Sequence, residues 1–76
     1  MSVVEDLADA LAIDVIKAVD ATGDVELVNQ IAEVLVATSQ TAEEAFLTAV
    51  RVRRANINAR AELLRRLKVI QAKQEK

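Results

Sequence analysis

The stretch TAEEAFLTAVRVRRANINARAELLRRLKVIQAKQ, residues 41–74, contains neither Gly nor Pro. Nothing in it stops a helix once one has started. It opens on Thr41-Ala42-Glu43-Glu44. That is a capping box: the threonine hydroxyl accepts from a first-turn amide, and the acid three residues on reaches back to the cap. The stretch predicts one helix over about 42–74, roughly 50 Å long at ~1.5 Å per residue. Phe46, Ala49, Val50, Ile57, Leu63, Leu64, Leu67 and Ile70 fall on one of its faces.

Two shorter helices precede it. Ser2-Val3-Val4-Glu5 is a second capping box, and Gly23 can take the left-handed conformation that ends a helix. Between them the sequence predicts a helix over about 3–22. Its stripe is Val4, Leu7, Ala8, Leu11, Val15 and Ala18, with Asp6, Asp9 and Asp20 placed away from it and Ile13 and Ile16 on a flank. Asp24 is a good N-cap for a helix over about 25–38. That helix is apolar on most of its circumference, which predicts the central and most buried element. The expected fold class is all-α: one domain over residues 1–76, three helices with the last long, forming a helical bundle by homodimerisation.

The expectation of a dimer comes from size and coverage. A chain of 76 residues buries a modest core and needs a supplement. It has no Cys for a disulfide and no His, the commonest transition-metal ligand. Association remains. Short loops at 21–24 and 39–41 favour antiparallel neighbours. The second helix then covers the third to about Asn56. Beyond it stand Ile57, Leu63, Leu64, Leu67, Val69 and Ile70, an apolar run of the kind that marks an interface. The predicted interface comprises Phe46, Val50, Ile57, Leu63, Leu64, Leu67 and Ile70. A second copy or a different protein partner can cover it, and parallel and antiparallel pairing of the long helices both fit the pattern.

Polar residues interrupt that face. Arg53, Asn56 and Arg60 lie within its arc at mutual spacings of three and four, and Asp14 on the first helix is the candidate counter-charge. Such a belt sets register in a helix pair or carries its charges past the stripe to solvent. It can also bind an anion, and the structural role is the more frequent one.

Charge is divided along the chain. Residues 1–38 carry eight acids against Lys17, a net −7, and residues 39–76 carry nine bases against four acids, a net +5. The halves attract each other, within a chain or between chains. The alternative function is a nucleic-acid-binding regulator whose opposite helix face, Arg51, Arg54, Arg65 and Arg66, contacts phosphates. A pI near 5.0 and a single aromatic residue, Phe46, stand against it.

Catalysis has little to work with. Without His or Cys, a base or nucleophile must be a carboxylate, Lys or Ser. Ser2 and Ser39 read as a cap and a loop residue, and one Gly cannot build a phosphate loop. No enzyme, metal or cofactor is expected. The longest uncharged run, Val34 to Ala42, is nine residues, too short to span a bilayer. The acidic first turn does not resemble a secretory signal, so a cytoplasmic location is expected. The sequence-level function is a non-enzymatic protein-protein interaction module, a small oligomeric adaptor or regulator.

Overall fold

The computed structural model describes residues 2–75. Three helices account for nearly all of them: α1 (Val3–Thr22), α2 (Leu27–Val36) and α3 (Gln40–Gln74). There is no strand among the described residues.

α1 has the predicted bounds. The Glu5 amide donates to Ser2 Oγ at 3.2 Å. At the other end Gly23 sits at φ 75°, and its amide donates to the Val19 carbonyl at 2.7 Å. A side chain at that backbone angle would be strained, so glycine fits the stop.

α2 is shorter than the expected 25–38. Asp24 does accept a capping bond, but from the Glu26 amide only two residues on, at 3.1 Å. That bond closes a turn, and the helix begins after it at Leu27. At the far end Thr38 and Ser39 both donate to the Leu35 carbonyl, which reverses the chain early.

α3 starts two residues before the expected 42, at Gln40. Its N-cap is Ser39, not Thr41: Ser39 has extended backbone, and its Oγ accepts from the Ala42 amide at 3.1 Å. Thr41 is already inside the first turn. Its capping box with Glu44 is therefore not the one used.

The fully buried core is small and alanine-rich. It comprises Ala8, Ala12 and Val15 of α1, Val28 and Ala32 of α2, and Phe46 and Val50 of α3. Alanines let backbones approach closely, and Phe46 supplies the one large side chain at their junction. Leu11, Val19, Leu27, Ile31 and Leu35 close the rim of this cluster.

As expected, α2 has the largest buried share of the three helices, but only one of its sides is covered. It packs through Leu27, Val28, Ile31, Ala32 and Leu35 and leaves Val25, Val34 and Val36 exposed. One neighbour on each side cannot surround a helix that is apolar nearly all round. Coverage of α3 ends sooner than Asn56, with Val50 as its last buried residue. The molecule measures 60 × 31 × 13 Å. Three helices with aligned axes at the usual spacing would be roughly 15 Å across. The 31 Å width exceeds that, so the three helices are not gathered into one aligned bundle.

Candidate association surface

Beyond the buried core, α3 continues as an open helix. From Asn56 to Glu75 every residue is exposed except Glu62. Ile57, Leu63, Leu64, Leu67 and Ile70 stand 48–60% exposed; Ile57 and Leu64 continue the direction of Phe46 and Val50 inside the core, and Leu63, Leu67 and Ile70 extend the apolar face to one side of it. Val69 is as open but lies on the opposite, charged side. Phe46 and Val50 were expected at the partner interface. They are closed inside the chain's own core, at 0% and 2% exposure, and cannot serve it.

The polar belt divides between two tasks. Arg53 reaches across to α1, where its Nε donates to Asp9 Oδ1 at 2.5 Å and its Nη2 donates to Oδ2 at 2.6 Å. This fork-to-fork geometry fixes the guanidinium plane as well as its position. The counter-charge is thus Asp9 rather than Asp14, which is exposed on another side of α1. Asp9 was placed off the apolar stripe, and it is. The face of α1 that packs is rotated toward it, centred on Ala8, Ala12 and Val15 rather than on Leu7 and Leu11. The hydrogen bonds from Arg53, and then its charge, hold the Asp9 carboxyl below the usual carboxylate range and raise Arg53 in turn; partial desolvation opposes both shifts.

Asn56 and Arg60 are joined to each other, Arg60 Nε donating to Asn56 Oδ1 at 2.8 Å. They remain at the surface, beside an open groove of about 600 Å³ between α1 and α3. Ile13 and Ile16 form its α1 wall, with Val52 and Ile57 opposite and Lys17 at its edge. The two isoleucines that seemed off-stripe in the sequence thus face α3 across this groove.

A second, smaller apolar groove of about 210 Å³ lies at the other end of the body. Val3, Val4, Leu7 and Leu11 of α1 form one wall, with Leu35 and Ala42 opposite. Val3 and Leu7 are 73% and 66% exposed. Leu7, expected on the packed stripe of α1, lies on this open surface instead. The sequence signal for that surface was the width of the α1 apolar face, greater than one neighbour can cover.

On the far face of α3, Glu62 accepts from Arg65 Nε at 3.0 Å and from Arg66 Nε at 2.7 Å. Those two hydrogen bonds, Arg65 first, lower the Glu62 carboxyl. Two of the four arginines proposed for phosphate contact are therefore engaged, while Arg51 and Arg54 are exposed on the same face. Among the described residues no three metal-ligating side chains converge, and no helix is long and apolar enough to cross a membrane.

No protein-family model matches the chain, and no significant match to it was found among curated proteins or solved structures.

Proposed function

We propose that this protein is a non-enzymatic association module, a small oligomeric adaptor or regulator that works by pairing through the apolar face of α3. One observation carries the reading. Five large apolar side chains, Ile57, Leu63, Leu64, Leu67 and Ile70, are about half exposed along a helix segment that runs beyond the buried core. Burying such a side chain is worth roughly 1.5–3 kcal/mol when complete. Completing the burial of these five is comparable with the ~4–11 kcal/mol expected of a chain this size. The half-engaged basic face, with Arg65 and Arg66 held by Glu62, supports this reading over phosphate contact. The cytoplasm is the proposed compartment, on the sequence grounds above.

Sedimentation at micromolar concentration tests the proposal, with the natural chain beside Leu64→Asp. The natural chain is expected at twice its monomer mass or more, and the variant at monomer mass. A compact natural monomer with a concentration-independent melt would overturn it.

A further inference from the structure

Two of the apolar surfaces that this chain leaves open have opposite charged surroundings. The first is the α3 overhang. From Asn56 to Glu75 its bases are Arg60, Arg65, Arg66, Lys68 and Lys73, and its acids are Glu62 and Glu75. The second is the groove at the start of α1, where Val3, Val4 and Leu7 stand opposite Leu35 and Ala42. Between Ser2 and Val50 the only base is Lys17. The groove's lining is uncharged, and Asp6, Asp14 and Glu43 lie on the helices that form it.

We infer that the partner of α3 is a second copy of this chain, bound antiparallel, so that the Leu63–Leu67–Ile70 edge of each overhang seats in the Val3–Leu7 groove of the other. This rests on the proposed association through α3 and names its partner and geometry. Charge selects the antiparallel arrangement. Side-by-side parallel overhangs would set one basic surface against another, whereas the antiparallel pair sets each basic overhang against an acidic body. Leu63, Leu67 and Ile70 are spaced i, i+4, i+7, the anchor pattern of a helix laid in an apolar groove. The groove, at about 210 Å³, is smaller than the ~300–1,000 Å³ of small-molecule sites and suits individual side chains. Symmetry closes the assembly. If Ala42 of one chain lies level with Leu67 of the other, a two-fold axis places the second pair identically, and both overhangs are covered at once.

Within one chain the two surfaces cannot meet. Ala42, on the groove wall, and Leu67 are 25 residues apart on one helix, roughly 37 Å. A disulfide needs Cα atoms within ~7 Å. The natural chain has no cysteine, so the double variant Leu7→Cys/Leu67→Cys is a clean reporter. Both positions are exposed, so the variant keeps the core intact. On mild oxidation it is expected to shift almost completely to a covalent dimer that reduction reverses. Leu67→Cys alone is expected to stay uncrosslinked, and Ile70→Cys in its place covers a register one turn away. Circular dichroism of each variant confirms that helicity is retained. A homodisulfide formed by Leu67→Cys alone would indicate parallel pairing and overturn the inference. So would a ladder of higher multimers, which means head-to-tail growth. If the natural chain sediments as a dimer but neither double variant crosslinks, the groove is not the docking site, while association through α3 stands. A monomeric natural chain removes both.

Discussion

Leu67→Ala separates the physics of the single chain from that of an assembly. Leu67 is 48% exposed on an isolated stretch of helix. For the chain alone the change is expected to be near neutral, within ~0.5 kcal/mol, because it disturbs no core and alanine is the better helix former. In a pair it has the opposite sign. Full burial of a leucine is worth roughly 1.5–3 kcal/mol, so hiding the exposed half contributes ~0.7–1.4 kcal/mol per copy. Both copies lose it, about 1.4–2.8 kcal/mol per dimer, which at ~1.4 kcal/mol per decade weakens the dimer roughly 10- to 100-fold. Sedimentation equilibrium over a range of concentrations reads this directly. Thermal melts give a second reading, since a dimer's melting temperature rises with concentration and a monomer's does not. Alanine at position 67 should lower the melting temperature most where the natural chain is mostly dimer. An unchanged dissociation constant, or a melt that rises by the same small amount at every concentration, would refute the reasoning: Leu67 would then be a solvated residue on a freestanding helix.

Other consequences test the parts that hold this surface in place. Phe46→Ala removes the only fully buried large side chain among the described residues and is expected to cost ~3–5 kcal/mol, most of the stability of so small a core; urea unfolding followed by circular dichroism should lose its cooperative transition. Asp9 is expected to titrate below the ordinary ~3.9 of an aspartate. Because its folded pKa is depressed, its contribution is present above the unfolded value and is lost as pH falls through the folded one. Carboxyl-carbon NMR should follow that step, Asp9→Asn should abolish it, and an ordinary or raised Asp9 value would contradict the clasp to Arg53. Ser39→Ala is expected to cost about 1 kcal/mol, while Thr41→Ala costs less than ~0.5 kcal/mol; melts showing the reverse order would return the cap of α3 to Thr41.

Helix number, order and approximate extent were legible because breakers and caps act locally. Ser2 and Gly23 mark α1 without reference to anything else in the chain. The start of α3 was harder because Ser39 and Thr41 are both competent caps, and the sequence favours Thr41 through Glu44. The choice falls to Ser39 because Leu35 accepts from both Thr38 and Ser39 and turns the chain there. That constraint belongs to the end of α2, so it is invisible from α3. Faces were harder still. α1 has apolar or small residues on two sides, Leu7 and Leu11 on one, Ile13 and Ile16 on the other. Periodicity finds the average of such a face, whereas packing selects the part that close-fitting alanines can bring nearest to Phe46. Choosing Ala8, Ala12 and Val15 turns Asp9 toward Arg53 and leaves Leu7 outside, so the missed counter-charge and the missed groove have one cause. The same rotation bears on association. A sequence with one face per helix would have closed into a self-sufficient bundle. This one carries more apolar face than its three helices cover, and excess falls at opposite ends of the molecule, on an acidic body and a basic overhang. Surplus surface divided in that way is what the proposed reciprocal pair would cover, because a two-fold axis brings each end to the other twice.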